Sequence, residues 1–455
     1  MKIIVAGCGK VGATIIEELC DEGHDISVID TDPAILEEIA IKRDVLGVIG
    51  SAASYEVQQE AGVSDADLLI AVTDSDEINM LCCLIAKKAG NCRTIARVRN
   101  PLYHKEIKYI KDELGLSLVI NPELSTALEI SRIIRIPTAI NVETFARGRL
   151  EMVEFIVPDD SPLVGMPVID IRRKLHSNVL LCAIDRDGEV FIPNGGFVIQ
   201  AKDIVHFVSG PNDSREFFRL IGIESYQKIK KVMIIGGGKM TYYLSRQLIG
   251  SGIQVKIIEK DRERCEELSA RIPEATIINA DANNREALLE EGLGECDAFV
   301  SATGMDEANI FLSLMATEYN ENCKIITKVN NRDLEDMVGR MNLGSTVSTK
   351  YITAESMVRY VRAMQNGMGS NMETLYRIVH DKAEAMEFVV AEDSPLQNIP
   401  IIELPIKKHV LLAAIYRRGD IIYPNGQTEL KRGDRVVVVT TIKGLNDLKD
   451  ILDEP

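Results

Sequence analysis

Near its start the chain reads Gly7-Cys8-Gly9-Lys10-Val11-Gly12, directly after the apolar run Ile3-Ile4-Val5-Ala6. A strand-like run followed by glycines at this spacing is typical of the first turn of a dinucleotide-binding domain. The first glycine permits a tight turn, the second lets a pyrophosphate approach the backbone, and the third lets the next helix pack closely on the strand. Phosphate then binds the exposed amides at the positive end of that helix. We therefore expect a nucleotide site at this turn.

A second version of the pattern, Gly236-Gly237-Gly238-Lys239-Met240-Thr241, follows half a chain later. The strand after each glycine turn also ends in an acid, Asp30 in the first half and Glu259 in the second. A carboxylate there accepts hydrogen bonds from ribose hydroxyls and repels a 2′-phosphate, which favours NAD or an adenosine nucleotide over NADP. The sequence thus predicts a duplicated nucleotide-binding unit.

Alternating elements extend each glycine turn into a domain. Strands are predicted near residues 2–6, 26–30, 45–49, 68–72, 93–98 and 117–120, with apolar residues at helical spacing between them. This alternation predicts a Rossmann-like α/β domain with a doubly wound parallel sheet. An amphipathic helix is expected over residues 124–136, and residues 354–364 hold the same place in the second half.

Shorter segments repeat after each Rossmann-like domain. Ser161-Pro162-Leu163 corresponds to Ser394-Pro395-Leu396, and the turn Pro193-Asn194-Gly195 corresponds to Pro424-Asn425-Gly426. Short alternating strands around such turns predict a small α+β domain. We therefore expect four domains, called N1 (residues 1–137), C1 (138–225), N2 (226–368) and C2 (369–455).

Three further residues of N1 are expected at the crevice where ligands bind in such sheets. Thr73 and Asp74 follow the fourth strand, where they either contact the ligand or start the next helix. Arg97 ends the fifth strand, and an arginine in an apolar strand needs an anionic partner, either a bound phosphate or a carboxylate such as Asp74. The candidate site of N1 is Gly7, Cys8, Gly9, Lys10, Val11, Gly12, Asp30, Thr73, Asp74 and Arg97.

The second copy departs from this pattern at two positions. Thr241 replaces the third glycine, which should push the helix away from the strand, and Lys328 stands where Arg97 does. Nucleotide binding is still expected, with the ligand either NAD or another nucleotide. The candidate site of N2 is Gly236, Gly237, Gly238, Lys239, Met240, Glu259 and Thr303.

Composition disfavours other classes of protein. The 455 residues carry a formal charge of −17 and no tryptophan, whereas nucleic-acid and anionic-membrane binders use basic patches and stacking aromatics. No apolar run suggests a membrane span and the start does not read as a signal peptide, so we expect a cytoplasmic protein. The nine cysteines and six histidines show no metal-ligand spacing. Cys8 is either a small residue in a tight turn or a redox-sensitive thiol with a lowered pKa.

An NAD-dependent oxidoreductase is the alternative function. Hydride transfer needs a proton-relaying His, Lys or Tyr beside the nicotinamide and a substrate pocket. The small domains offer no such constellation, so we expect no enzyme activity.

The duplicated glycine turns, the two ribose-facing acids, the Thr-x-x-Asp-Glu-x-Asn segments at 73 and 303 and the paired Pro-Asn-Gly turns resemble the TrkA family of Trk-type potassium uptake regulators. In that family two RCK domains, which regulate potassium conductance, lie in tandem. The resemblance implies a regulatory subunit on the cytoplasmic face of a membrane potassium channel or transporter. It also implies a homo-oligomeric ring, a dimer or tetramer, that binds NAD(H) or ATP/ADP and gates ion flow by changing shape.

The resemblance to potassium regulators also suggests that the small domains bind an effector such as a cyclic dinucleotide between two copies in a dimer. The polar candidates are Arg186, Asn194, Arg417 and Asn425. Ordinary turn and surface chemistry is the competing interpretation and the one we favour.

Overall fold

The computed structural model describes residues 1–90, 92–135, 140–222, 229–331, 334, 337–338, 341, 343–366, 372–379, 382–445 and 447–453. Its four sheets alternate along the chain between six and five strands, and this confirms the α/β fold with small α+β domains in the order N1-C1-N2-C2. The expected boundaries, at 137/138, 225/226 and 368/369, lie outside the described residues. Among the described residues, no helix is both long and apolar enough to cross a bilayer.

N1 is a parallel sheet with helices between its strands. Its strands are β1 (Lys2–Ala6), β2 (Asp25–Asp30), β3 (Leu46–Ile49), β4 (Leu68–Ala71), β5 (Arg93–Arg97) and β6 (Leu118–Ile120). Its helices are α1 (Lys10–Asp21), α2 (Pro33–Lys42), α3 (Tyr55–Glu60), α4 (Asp76–Gly90), α5 (Pro101–Lys105), α6 (Ile107–Leu114) and α7 (Pro122–Arg135). The order β3-β2-β1-β4-β5-β6 is doubly wound, and each predicted strand is present within one residue at either end.

The apolar pattern of N1 explains its layers. Every side chain of β4 is buried, since helices cover both faces of a parallel sheet. The helices α2 and α3 begin behind side-chain caps, because the carboxylate of Asp32 accepts the amide of Ala34 and the hydroxyl of Ser54 accepts the amide of Val57. These caps fix where the chain leaves each preceding loop.

C1 is an antiparallel sheet of β7 (Asn141–Phe145), β8 (Leu150–Ile156), β9 (Val179–Arg186), β10 (Glu189–Phe191) and β11 (Ile204–Ser209), in the order β10-β9-β11-β8-β7. Two helices, α8 (Val168–Leu175) and α9 (Pro211–Leu220), belong to it. Phe155, Phe207, Phe217 and Phe218 form an aromatic cluster with mostly edge-to-face contacts in its core. The aromatic cluster joins α9 to the sheet.

N2 repeats the topology of N1. Its strands are β12 (Lys231–Ile235), β13 (Gln254–Glu259), β14 (Thr276–Asn279), β15 (Ala298–Ser301), β16 (Lys324–Lys328) and β17 (Ser345–Val347), in the order β14-β13-β12-β15-β16-β17. The described helices are α10 (Lys239–Gly250), α11 (Arg262–Arg271), α12 (Arg285–Glu290), α13 (Asp306–Tyr319) and α14 (Thr349–Asn366). The last of these includes the segment expected over 354–364 and begins earlier.

C2 pairs β18 (Met372–Ile378), β19 (Ala383–Val389), β20 (Val410–Arg417), β21 (Asp420–Ile422) and β22 (Arg435–Thr440) in the order β18-β19-β22-β20-β21. Its segments Ile401–Glu403 and Leu448–Ile451 are single 3₁₀ turns where C1 has α8 and α9. A proline at 400 and another at 405 bracket the first turn, and proline ends helices readily.

Each of two compact units draws on both halves of the sequence. The first unit contains Met1–Ser131 and Ile229–Val358, so N1 and N2 belong together, and the second contains Arg132–Lys228 and Arg359–Pro455, so C1 and C2 belong together. This pairing of repeats was not part of the sequence prediction.

Tyr243 on α10 joins N1 to N2 inside the first unit. Its hydroxyl donates to the carbonyl oxygen of Arg99 at 3.1 Å and accepts from the side-chain amide of Asn121 at 2.9 Å. The corresponding residue of N1 is Thr14, whose hydroxyl donates to the carbonyl of Lys10 in its own helix. At this position the two N domains therefore differ.

C1 and C2 share one apolar core inside the second unit. Phe145 of C1 meets Tyr376 of C2 edge to face at 5.0 Å, and the Tyr376 hydroxyl donates to the carbonyl of Thr144 at 2.8 Å. The buried carboxylate of Glu387 accepts the amide of Ala146 at 3.0 Å. Ala146 has a positive φ of 48°.

Candidate functional site

The glycine turn of N1 contains two glycines that the fold itself requires. Gly7 has φ +99°, and a Cβ there would lie 2.6 Å from the backbone nitrogen of Thr73. A Cβ on Gly12 would lie 1.9 Å from the carbonyl oxygen of Gly7. At Gly9, by contrast, a Cβ would meet nothing within 4 Å. The middle glycine thus faces open space, which is where the pattern predicts the ligand.

The helix behind this turn begins without a side-chain cap. Gly9 is the residue before α1, and no described side chain accepts a hydrogen bond from the first amides of α1. The neighbouring helices α2 and α3 do have such caps. Lys10 is exposed at the first position of α1, and Val11 is partly buried beside it. These amides and the lysine form a positive region suited to a phosphate group.

Asp30 lies at the end of β2 and contacts the glycine turn directly. One carboxylate oxygen accepts the amide of Cys8 at 2.6 Å, and the other accepts the amide of Asp32 at 3.0 Å. Each oxygen has a second lone pair, so the carboxylate can still accept a bond from a ribose hydroxyl. Asp30 therefore fixes the turn as well as standing at the predicted ribose position.

Asn79 on α4 organises the crevice, and our sequence reasoning gave it no role. Its side-chain oxygen accepts both the amide and the hydroxyl of Thr73 at 2.7 Å. Its amide group donates to the carbonyls of Thr73 and Arg97 at 3.1 and 3.0 Å. A fully buried asparagine thus ties the ends of β4 and β5 together. Its place in both Thr-x-x-Asp-Glu-x-Asn segments was the available signal.

Arg97 is buried at the end of β5, with 6% of its surface exposed. Its guanidinium donates to the carbonyl of Thr73 at 2.6 Å and lies 3.3 Å from the carboxylate of Asp74, which is itself fully exposed. Burial lowers the pKa of Arg97, and its Nε is buried without a hydrogen-bond partner among the described residues. Since buried charges are costly when unpaired, the guanidinium has capacity for an anionic ligand.

The glycine turn of N2 has the same backbone path with a different third residue. Gly236 has φ +96°, and a Cβ on Gly238 would meet nothing within 4 Å. The hydroxyl of Thr241 donates to the carbonyl oxygen of Gly236 at 2.5 Å. In N1 a Cβ at the matching position, Gly12, would lie 1.9 Å from the carbonyl oxygen of Gly7.

The remaining candidates of N2 parallel those of N1. Glu259 accepts the amide of Gly237 at 2.5 Å, as Asp30 accepts that of Cys8. Asn309 accepts both the amide and the hydroxyl of Thr303 at 2.8 and 2.7 Å. Lys328 is partly buried, and burial lowers its pKa. Lys239 is exposed at the start of α10, whereas Met240 is buried.

Arg264 distinguishes the second turn, and it was absent from our sequence prediction. Its Nε donates to the carbonyl of Gly237 at 2.6 Å, and its guanidinium also pairs with Glu267. With Lys239, Arg271 and other residues it lines a small cavity of about 140 Å³ that includes Asn100 of N1. Arg264 therefore adds a positive charge beside the second glycine turn.

Cys8 is not an activated thiol, so that interpretation is wrong. The side chain is 3% exposed, and burial, with the carboxylate of Asp30 beside it, raises its pKa to about 12. A thiol held protonated at neutral pH is a weak nucleophile. Cys8 is instead a small residue packed in the turn.

The polar candidates of the small domains are engaged within their own domains. The guanidinium of Arg186 makes two bonds of 2.8 Å to the carboxylate of Asp203, and that of Arg417 makes two of 2.7 and 2.6 Å to Asp434. Asn194 and Asn425 accept amides of their own turns. These contacts favour a structural role over cyclic-dinucleotide binding. In the described part of the chain, no group of three His, Cys, Asp or Glu side chains could hold a metal.

Family models match all four domains. The TrkA-N domain matches residues 3–122 and 232–349, and the TrkA-C domain matches residues 152–222 and 385–453. The Trk system potassium uptake protein TrkA homolog of Archaeoglobus fulgidus is 33% identical over 451 residues, covering 99% of this chain and all of that protein. The Trk system potassium uptake protein TrkA of Halomonas elongata is 31% identical over 442 residues, covering 96% of this chain and 95% of that protein.

Solved structures share the fold. The GsuK channel bound to NAD has a TM-score of 0.63 and 18% identity over 96% of this chain and 76% of that one. The GsuK RCK domain has the same TM-score and identity over 96% of this chain and 92% of that one. At this identity the likeness establishes the tandem RCK fold alone.

Proposed function

We propose a function on the basis that this chain belongs to the TrkA family. The chain is a nucleotide-sensing regulatory subunit of a Trk-type potassium channel or transporter. Its place would be the cytoplasmic face of the membrane, where copies of the chain assemble into a ring, as a dimer or tetramer, beside the membrane partner. The carrying observation is the pair of glycine turns, each with an open middle glycine in front of an uncapped helix.

NAD(H) fits the residues of N1. The adenosine ribose would bond to Asp30 and the pyrophosphate would lie over Gly9, beside the first amides of α1. Arg97 offers a buried cation with a free Nε among the described residues. Among the solved structures that share this fold, one is the GsuK channel bound to NAD and another is GsuK bound to ADP, which supports NAD(H) or ATP/ADP as the ligand class here. N2, with Thr241 and Arg264, is expected to have a different preference.

Gating would follow from a shift in population between two ring shapes. A nucleotide moves this equilibrium only by binding one shape better than the other. A tenfold preference at one site contributes about 1.4 kcal/mol, and the several sites of one ring add to that bias.

Alanine at the middle glycine of each turn tests ligand binding at that turn. Gly9→Ala should abolish nucleotide binding at N1 and Gly238→Ala should abolish it at N2, because the new methyl group would occupy the space needed by the pyrophosphate. Both sites are open in the protein itself, so the melting temperature without ligand should not change. Calorimetric titration of the full chain with NAD, NADH, ATP, ADP and AMP gives affinity and stoichiometry.

Each variant serves as the other's control. Gly9→Ala should remove one site per chain and leave the other, and Gly238→Ala should do the reverse. If both variants bind every nucleotide as tightly as the unchanged chain, the glycine turns are not the nucleotide sites and the proposal fails.

Arg97→Ala should weaken nucleotide binding at N1 by about tenfold, which corresponds to a lost charge-assisted hydrogen bond of about 1.5 kcal/mol. Arg97→Lys is the matched variant, since N2 has Lys328 at the same strand end. It retains the charge but loses the planar fork, so its affinity should be intermediate. Calorimetric titration with the nucleotide that binds the unchanged chain measures the affinity of that chain and of both variants. An unchanged affinity in Arg97→Ala, with a normal melting temperature, removes Arg97 from the site.

An NAD-dependent oxidoreductase remains the competing function, and a turnover assay separates the two. Sustained oxidation or reduction of the nicotinamide with a small-molecule substrate would support an enzyme. Binding without turnover, together with nucleotide-dependent potassium flux in vesicles containing the membrane partner, would support the regulator.

A further inference from the structure

Two cysteines of N2 lie with their thiols in contact. Cys296 precedes β15 and Cys323 directly precedes β16, and their sulfur atoms are 3.6 Å apart. The residues are 6% and 9% exposed. Among the described residues this is the only hydrogen bond between two thiols. The contact lies at the amino ends of these strands, whereas Thr303 and Lys328 follow or end them at the opposite edge of the sheet.

Asn320 holds both cysteine backbones in this arrangement. Its side-chain amide donates to the carbonyls of Leu293 and Cys296 at 3.3 and 2.9 Å. Its own carbonyl accepts the amide of Cys323 at 3.1 Å. Hydrogen bonds to Asn320 therefore fix the backbone that positions the two thiols.

N1 provides an internal comparison. In the first sheet Leu68 pairs with Arg93, and in the second Ala298 pairs with Lys324. Two residues before the first member of each pair and one before the second stand Cys296 and Cys323 in N2, but Ala66 and Cys92 in N1. Only the second half of the chain has a dithiol at this place.

We propose that Cys296 and Cys323 form a reversible disulfide when the chain is exposed to a peroxide. The Cys296 thiolate attacks one oxygen of the peroxide, the O–O bond breaks, and the other oxygen leaves and is protonated, so that a sulfenic acid forms. The Cys323 sulfur then attacks the sulfenyl sulfur, the S–O bond breaks, and hydroxide leaves with the Cys323 proton as water. Two thiols lose two electrons in total, and hydrogen peroxide becomes two waters.

The electrostatics agree with these roles. The hydrogen bond with the Cys323 thiol lowers the pKa of Cys296. The same hydrogen bond raises the pKa of Cys323, and burial raises it further.

The test uses the full-length chain and hydrogen peroxide. We expect the oxidised protein to lose two of its nine titratable thiols, and peptide mapping to link Cys296 to Cys323. Dithiothreitol should restore both thiols. Nucleotide affinity should not change, because the pair lies at the other edge of the sheet, so this outcome is independent of the proposed function.

Two variants separate this dithiol from general oxidation. Cys323→Ala should stop at a sulfenic acid on Cys296, which dimedone traps, and Cys92→Ala should form the disulfide as the unchanged chain does. The proposal is overturned if the unchanged, folded chain gives no link between the two residues, or if both cysteines proceed to sulfinic acids without one.

Discussion

Gly12→Ala is expected to lower the free energy of unfolding by about 3 kcal/mol or more, the cost of forcing atoms into a fully packed site. A Cβ at this position would lie 1.9 Å from the carbonyl oxygen of Gly7, so α1 must move away from β1. That oxygen belongs to the backbone and cannot rotate aside. The turn that holds the candidate ligand residues should move with it, and nucleotide binding at N1 should be lost as well. Urea denaturation followed by circular dichroism measures the stability.

The chain offers matched controls for this substitution. Gly9→Ala adds the same methyl group in open space three residues earlier and should leave stability unchanged. Thr241 of N2 shows how a larger residue is accommodated at the third position, because its hydroxyl bonds the carbonyl of Gly236. If Gly12→Ala proves as stable as the unchanged chain, close packing of α1 on the turn is not required for the fold.

Glu387→Ala is expected to destabilise the unit formed by C1 and C2 by about 3–5 kcal/mol, the usual cost of removing one partner of a buried ion pair. The Glu387 carboxylate is 2% exposed and lies 2.6 Å from the guanidinium of Arg435. Its other oxygen accepts the amide of Ala146, in the other small domain. Its loss leaves a partly buried cation and a buried amide without that partner. Thermal unfolding monitored by circular dichroism should show the change.

Glu373→Ala is the control for this prediction. Glu373 also pairs with Arg435, at 2.7 Å, but its side chain is 42% exposed, and exposed ion pairs contribute about 0–1 kcal/mol. The two substitutions therefore remove the same charge from the same arginine at different depths. Equal effects would show that burial of Glu387 and its bond to Ala146 contribute nothing to stability.

The parts of the fold that follow from local patterns were predictable. The six strands of N1 were within one residue of prediction, because continuous apolar runs bounded by glycines or acids define buried parallel strands. The glycine turns were recognisable because Gly7 needs a positive φ and Gly12 needs space next to a backbone oxygen. Both requirements act between neighbouring residues of the sequence.

Long-range contacts between polar groups were not predictable. Asn79 recurs at the same place in both Thr-x-x-Asp-Glu-x-Asn segments, but that recurrence does not indicate that its side chain joins the ends of β4 and β5. Arg264 reads as an exposed helix residue, yet it bonds the carbonyl of Gly237. Tyr243 joins N2 to N1 through atoms more than 100 residues apart in sequence. Such contacts depend on which surfaces pack against one another, and the spacing of apolar residues along the sequence does not indicate this.

The pairing of N1 with N2 inside one chain has a consequence for how the two turns can evolve. In an assembly of identical domains, any substitution at the third glycine would occur in every copy, and each nucleotide site would change together. Because these two domains are encoded separately, Thr241 and Arg264 could arise in one while Gly12 and its close packing persisted in the other. Joining the two domains in one chain thus permits two different glycine turns that still share one interface.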